Sequence, residues 1–295
     1  MANKSRISIA LTSIKNRLLK YQPHIFHEED LRHIFLKGKK KWNLPAAMNH
    51  RKFIEALENE GLIGLCHFDF ETEWHEGYYL HSSPDYYVVS QLIPHSYISH
   101  ASALNIWGMT EETQDKIYVN REQSQTQSKS IKGKLVQTGI DSAFKGPQRQ
   151  TGLVTIFDGK EVIFVKGKST NQLGVLDFDL KGKEQIRVTD LERTLIDCVV
   201  RPAYAIDPTL MIKVFRKAKD FITVSTLANY LDELDYTYPY HQSIGFYLEK
   251  AGNYTESEIH LFRSKVIEYN FYLAYGMTEP AYSENWKLYF PRHLE

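Results

Sequence analysis

Apolar residues recur at helical spacing at the start of the chain. Ile7, Leu11, Ile14 and Leu18 are separated by four, three and four positions, which places them on one face of an amphipathic helix over residues 5–21. Ser5 precedes the first apolar position, and serine is a favourable N-cap residue. The pattern therefore predicts a first helix that begins after Ser5.

Two more helices and a hairpin follow in short succession. A second helix is predicted from about His27 to Leu36 with Gly38 at its end, and a third from the turn at Pro45 to Gly61. The runs LIGLCHFDF and EGYYLH then predict two strands separated by a polar tip. Three short helices followed by a two-stranded hairpin is the order of a winged helix-turn-helix.

Charge is distributed unevenly, although the formal net charge of the chain is +0. Residues 1–52 contain twelve Lys or Arg and three acids, whereas residues 53–129 contain three Lys or Arg and twelve acids. Because salt screens distant charges, a polyanion responds to the nearby basic block and not to the net charge. The first block is therefore expected either to attract a nucleic acid or to form a solvated basic arm.

Candidate DNA-binding residues collect before and at the start of the predicted third helix. A recognition helix presents its N-terminal residues to base edges in the major groove, while nearby cations neutralise phosphates. Asn can read adenine, and Arg can read guanine. The candidates for phosphate contacts are Lys39, Lys40 and Lys41, and the set is completed by Asn43, Asn49, His50, Arg51 and Lys52.

The middle of the chain predicts a short connecting segment. Residues 83–120 contain a helix, a break at Pro94, a second helix capped by Ser99 and ended by Gly108, and a strand at residues 116–120. Ser99, His100 and Ser102 invite a nucleophile-and-base interpretation, but no G-x-S-x-G turn or third orienting group accompanies them. The polar run REQSQTQSKSIKGK that follows is the best linker candidate.

The remainder predicts a sheet followed by helices. GLVTIFDG, EVIFVKG, LGVLDFDL and EQIRVTD are β-rich runs, and helices are expected over residues 190–200, 208–219, 225–234, 240–251 and 256–270. The predicted fold class is α+β, with an N-terminal winged helix-turn-helix followed by a C-terminal domain with a small, mainly antiparallel sheet and a helical bundle. The expected domains are residues 1–82, a connection at 83–120, and residues 121–295.

The stretch VTDLERTLID combines carboxylates and an arginine at the start of an apolar run. Thr189 and Glu192 have the spacing of a capping box, in which each side chain accepts a hydrogen bond from the other residue's backbone N–H. Arg193 and Asp197 are four apart, which suits an ion pair on a helix surface. Local helix structure therefore explains most of this motif without an active site.

Two segments, YISHASALNIWGMTEE and VTDLERTLIDCVVRPAYA, the second followed by helices that end in IGFYLEKAGN, resemble the AbiEi family. These proteins are antitoxins and transcriptional regulators of type IV toxin-antitoxin and abortive-infection systems. The resemblance implies an N-terminal winged helix that represses its own operon by binding inverted repeats in the promoter. It also implies a C-terminal domain with antitoxin activity and a nucleotidyltransferase-like toxin as partner.

A metal-dependent enzyme is the main alternative. Asp177 and Asp179 have the D-x-D spacing that holds Mg²⁺ in nucleotidyltransferases, since alternate strand residues point to the same side. Asp158, Asp179 and Lys181 also allow a nuclease interpretation. No Gly-Ser turn precedes the D-x-D pair, and charges that alternate with apolar residues are typical of the wet face of a sheet. We therefore predict no catalysis, no cofactor and no metal ion.

The expected environment is cytoplasmic. Cys66 and Cys198 lie far apart in apolar segments, which favours reduced thiols, and no apolar run is long enough to span a membrane. The N-terminus lacks the continuous apolar segment of a signal peptide. A protein-interaction module without DNA binding stays open as a further alternative, as does the choice between a monomer and a dimer on DNA.

Overall fold

The computed structural model describes residues 5–71, 73–111, 115–124, 135–180 and 184–295 and has the mixed helix and sheet content of the predicted α+β class. The α-helices are α1 (Arg6–Leu18), α2 (Glu28–Gly38), α3 (His50–Asn59), α4 (Asp85–Leu92), α5 (His100–Ile106), α6 (Gln137–Lys145), α7 (Leu191–Val200), α8 (Pro208–Ala218), α9 (Val224–Leu234), α10 (Tyr240–Ala251) and α11 (Glu256–Arg263). The strands are β1 (Ile25–Phe26), β2 (Ile63–Asp69), β3 (Trp74–Leu80), β4 (Tyr97–Ile98), β5 (Lys116–Glu122), β6 (Val154–Phe157), β7 (Lys160–Gly167), β8 (Val175–Asp179), β9 (Gln185–Thr189), β10 (Phe271–Tyr272), β11 (Ala281–Ser283) and β12 (Leu288–Phe290).

The chain divides into two units. Unit 1 comprises Met1–Ser96, Leu153–Val162 and Asp179–Ile186, and unit 2 comprises Tyr97–Gly152, Ile163–Phe178 and Arg187–Glu295. The boundary expected after residue 82 falls inside unit 1, because α4 packs against β1 and β3. The boundary expected after residue 120 falls inside unit 2, within strand β5.

The first helices of unit 1 and the hairpin surround one core. We call the described part of residues 5–80 the N-terminal module. Its sheet has the order β1-β3-β2, and both strand pairs are antiparallel. The predicted cap of α1 is confirmed, because Ser5 Oγ accepts a hydrogen bond from the Ser8 N–H at 3.0 Å. The core of the module contains Ile7, Ile14, Leu18, Leu31, Phe35, Phe53, Leu57 and Ile63.

The start of the third helix was predicted wrongly. Pro45 does not open α3; it begins a turn in which the Met48 N–H donates to the Pro45 carbonyl at 3.0 Å. Helix α3 begins at His50, and Asn49 is its N-cap residue, with Oδ1 accepting from the Lys52 N–H at 2.9 Å. The N-cap bond therefore fixes which residues occupy the first turn of α3.

Unit 2 is built around α7, which packs against α5, α9 and α10. In unit 2, strand β4 forms an antiparallel pair with β5 and a parallel pair with β9. The six-stranded sheet to which they belong has the order β6-β7-β5-β4-β9-β8, and its strand β6 is assigned to unit 1. The expected capping box of α7 is wrong. Asp190 is the N-cap, with Oδ1 accepting from the Arg193 N–H at 2.8 Å, whereas the Glu192 carboxylate accepts from the Thr223 N–H.

The end of the chain also departs from the expected run of helices. Helix α11 ends at Arg263 and not near residue 270. Strands β10, β12 and β11 then form a small sheet in which β10 and β12 are parallel. The indole of Trp286 fills a space beside Gly245, where an added Cβ would lie 2.1 Å from the ring. Helix α6 is a further element that the sequence did not predict.

Candidate nucleic-acid interface

The loop between α2 and α3 is held to the core of the N-terminal module by one aromatic residue. The Trp42 ring is 6% exposed and stacks on Phe53, with centroids 5.8 Å apart and planes 8° apart. Its Nε1–H donates to Ser13 Oγ at 3.2 Å. Gly38 allows this approach, because an added Cβ there would lie 2.1 Å from the indole. The loop that carries the lysines is therefore tied to α1 and α3.

The Lys39 side chain forms hydrogen bonds within this loop. Its ammonium group donates to the carbonyl of Ala46 at 2.8 Å and to the carbonyl of Met48 at 2.7 Å. It also lies 5.3 Å from the centroid of the Phe35 ring. These contacts satisfy two backbone acceptors just before α3, so Lys39 holds the loop in place, and its contact with a phosphate stays a prediction.

Lys40 and Lys41 differ from Lys39 in their surroundings. Both are exposed, and their ammonium groups make no hydrogen bond or ion pair with another residue in the described part of the chain. Asn43 is also exposed and has a left-handed backbone, with φ of 50°. Its carbonyl accepts a hydrogen bond from Arg6 at 3.4 Å, so Arg6 adds a cation beside the loop that sequence reasoning missed.

The first turn of α3 brings together most of the remaining candidates. Arg51 and Lys52 are exposed, and Arg51 is 81% exposed at the level of its side chain. An acidic group lies beside them: Glu28 Oε1 is 3.2 Å from His50 Nε2 and 3.6 Å from Arg51 Nε. The side-chain oxygen of Asn49, Oδ1, accepts the capping hydrogen bond from the Lys52 N–H. The side-chain NH₂ group of Asn49 is left as a donor.

The hairpin of β2 and β3 is acidic, in contrast to the basic first turn of α3. Residues 63–80 contain no Lys or Arg and four acids, Asp69, Glu71, Glu73 and Glu76. Trp74 is 66% exposed, and its ring lies near that of His67, with centroids 6.0 Å apart and planes 19° apart. Since carboxylates repel phosphates, the hairpin is a poor surface for contact with a nucleic-acid backbone.

The helices of the two resemblance segments, α5 and α7, belong to unit 2 and are largely buried. Helices α5 and α7 pack against each other, and Ser99 and His100 are buried at the start of α5. Ser99 is at the cap position without a capping bond, and its Oγ is instead 2.8 Å from His100 Nδ1. Burial lowers the pKa of His100 to about 4, so the ring is neutral at physiological pH.

Arg193 and Asp197 form the expected pair, but it is buried and not on a surface. Arg193 Nε donates to Asp197 Oδ1 at 2.8 Å, and the two side chains are 4% and 7% exposed. The Arg193 guanidinium also donates to the Leu173 carbonyl at 2.8 Å and to Thr170 Oγ1 at 3.2 Å. Burial lowers the pKa of Arg193, but the neighbouring Asp197 carboxylate raises it by more, so the pKa is raised overall. The pair therefore anchors the 170–173 loop to α7.

The carboxylates considered for Mg²⁺ are on the surface. Asp177 and Asp179 are both exposed on β8. Asp158 lies in the turn between β6 and β7 with φ of 47°, and Lys181 lies outside the described residues. No group of three or more His, Cys, Asp or Glu side chains within the described ranges has an arrangement that could hold a metal ion.

The fold of this chain is similar to that of a known crystal structure, although sequence comparisons give no match. No protein-family model matches the sequence, and no curated protein matches it. The fold is similar to the crystal structure of the RV2827C protein from Mycobacterium tuberculosis, with a TM-score of 0.60 and 12% sequence identity. The match covers 97% of this chain and 93% of that chain, so the two share a fold over nearly their whole lengths. Among the described residues, the helices are all too short or too polar to cross a bilayer.

Proposed function

We propose that this chain is a DNA-binding repressor of its own operon and the antitoxin of a type IV toxin-antitoxin system in the cytoplasm. In this proposal the N-terminal module is a winged helix-turn-helix. The order α1-β1-α2-α3-β2-β3 supports the assignment, as does the antiparallel sheet in which β3 lies between β1 and β2. The resemblance of the α5 and α7 segments to the AbiEi family supports the antitoxin role.

The observation that carries the DNA-binding proposal is the exposed basic surface at the start of α3. Arg51 and Lys52 project from the first turn, where a recognition helix presents side chains to base edges. Lys40 and Lys41 are exposed on the preceding loop, and no described carboxylate pairs with them. Arg51 and the Asn49 amide would read bases, while Lys40, Lys41 and Lys52 would neutralise phosphates.

Acidic residues near this basic surface limit the electrostatic contribution to DNA affinity. Glu55 is exposed one turn after Arg51, so the positive potential of α3 is confined to its first turn. The acidic hairpin adds no phosphate contact. Four cations, Lys40, Lys41, Arg51 and Lys52, would give a slope of log Kd against log salt of magnitude about 3 to 4 for each bound copy.

The test is a fluorescence-anisotropy titration of the promoter fragment upstream of this gene at several salt concentrations. We expect Arg51→Ala to weaken binding about tenfold, and Lys40→Ala to lower the magnitude of the salt slope by about 1. Lys213→Ala is the matched control, because Lys213 is an exposed lysine on α8 of unit 2. If the Arg51→Ala and Lys40→Ala double variant binds the promoter as tightly as the parent, the DNA-binding surface is wrongly assigned.

The antitoxin role is tested separately. A nucleotidyltransferase-like reading frame beside this gene would be co-expressed with the full chain, and growth of the host would be followed. We expect the parent chain and the Arg51→Ala, Lys40→Ala double variant to restore growth equally, since neutralisation is assigned to unit 2. Growth arrest that persists with the parent chain would remove the antitoxin role while leaving DNA binding intact.

A further inference from the structure

Unit 2 contains a cavity of about 400 Å³ at the start of α8. This volume lies within the roughly 300 to 1,000 Å³ of small-molecule sites. Its wall is mainly apolar and includes Val199, Ile206, Met211 and Leu273. Apolar walls of this size hold the body of a ligand by removing its apolar surface from water.

Asp207, Gln148 and Tyr247 place polar groups in the lining, which also includes Cys198 and Tyr275. Asp207 caps α8 through Oδ1, which accepts from the Thr209 N–H at 2.8 Å, and its second carboxylate oxygen stays available. The Gln148 carbonyl oxygen accepts from the Ala203 N–H at 2.7 Å, which leaves the amide group of Gln148 as a donor. The Tyr247 hydroxyl makes no hydrogen bond with a described residue.

The Tyr247 side chain is held in place by an aromatic contact. The Tyr247 ring stacks on Phe215, with centroids 5.0 Å apart and planes 6° apart. Burial raises the pKa of Tyr247, so its hydroxyl is a neutral group. Asp207 is the only charged side chain among the described residues that line the cavity. The charge of a complementary ligand is therefore positive.

We propose that this cavity binds a small molecule with an apolar body and one protonated amine. The amine pairs with the Asp207 carboxylate, and the body lies against Val199, Met211 and Leu273. An anion of the same shape is rejected because it would meet Asp207 without a lining cation. The cavity is lined by residues of unit 2, and the proposal does not depend on the proposed DNA binding.

The test uses three probes of similar shape and different charge: phenethylamine, phenethyl alcohol and hydrocinnamate. They are titrated into the full chain with isotope-labelled methionine methyl groups, observed by NMR. We expect the Met211 methyl signal to shift with the amine, and the signal of Met48 in unit 1 to stay in place as the internal control. The amine should bind about threefold more tightly than the alcohol, because Asp207 is exposed and solvent screens its charge.

Two variants separate the charge from the cavity. Asp207→Asn retains an N-cap side chain for α8 and removes the charge, so the amine and the alcohol should bind equally. Ala274→Phe places a ring in the cavity and should abolish binding of both probes; if this variant does not fold, Asp207→Asn still decides the question. The proposal is overturned if no probe shifts Met211, if hydrocinnamate binds most tightly, or if Asp207→Asn keeps the preference for the amine.

Discussion

Replacing Arg193 by methionine tests whether its ion pair with Asp197 is a structural element of the core. An exposed pair four residues apart on a helix contributes about 0.3 to 0.5 kcal/mol. A buried pair behaves differently, because loss of one partner leaves an uncompensated charge at a cost of about 3 to 5 kcal/mol. With side chains 4% and 7% exposed, this pair belongs to the second class.

The contacts of the guanidinium set the size of the effect. Arg193→Met leaves the Asp197 carboxylate buried without its cation, and Asp197 Oδ2 already has no hydrogen-bond partner among the described residues. The substitution also removes the donors to the Leu173 carbonyl and Thr170 Oγ1. We expect the free energy of unfolding to fall by at least about 3 kcal/mol. Asp197→Leu should cost a similar amount, because it leaves the arginine buried alone.

The assay is urea unfolding at neutral pH followed by circular dichroism, for both single variants and for the Arg193→Met, Asp197→Leu double variant. The double variant should be more stable than either single variant, since apolar side chains can replace a buried pair at little cost. Arg32→Met is the control, because Arg32 pairs with Glu29 on α2 with both side chains about half exposed, and it should cost at most about 1 kcal/mol. The reasoning would be refuted if Arg193→Met lowered the free energy of unfolding no more than the control does. It would also be refuted if the double variant lost as much free energy of unfolding as the two single variants together.

Two further predictions concern a buried histidine and a close contact. Burial lowers the pKa of His100 to about 4, below the ordinary 6.5, so the folded state binds fewer protons than the unfolded chain and loses stability as pH falls between these values. Between about pH 7 and about pH 5, urea unfolding should show a loss about 2 kcal/mol larger in the parent than in His100→Asn, because the similar loss from buried His241 is common to both, and equal losses would contradict this. Gly38→Ala should lower the melting temperature, because its Cβ would lie 2.1 Å from the Trp42 ring, whereas Gly139→Ala in α6, with 3.5 Å to Val136, should raise it.

Periodicity in the sequence was enough to predict the elements whose structure is local. The cap of α1 and the strands of the hairpin were confirmed because their apolar spacing and bounding polar residues lie within the segments themselves. The start of α3 was missed because Pro45 suits both a helix opening and a turn. The turn is stabilised by the Lys39 ammonium group, a contact that spacing does not reveal. Asn49, three residues before Lys52, was the available signal.

Contacts between distant residues explain the other differences. Thr189 and Asp190 are both N-cap formers, and sequence alone could not choose between them. The structure gives the cap to Asp190, because the Glu192 carboxylate accepts instead from Thr223, which is distant in the sequence. Helix α11 ends at Arg263, and residues 271–272 pair with β12, a contact across a separation that leaves no local pattern in the sequence.

The candidate DNA-binding residues show why counting charges is not sufficient. Lys39 belongs to the densest basic run of the sequence, yet two backbone carbonyls occupy its ammonium group. Arg51 is exposed, yet Glu28 lies 3.6 Å from it and reduces its local potential. The helices α5 and α7 of the segments that resemble the AbiEi family are in unit 2, whereas the basic surface is in unit 1. These two segments therefore give no information on the basic surface, and DNA binding has to be decided on the exposed side chains of α3 and its preceding loop.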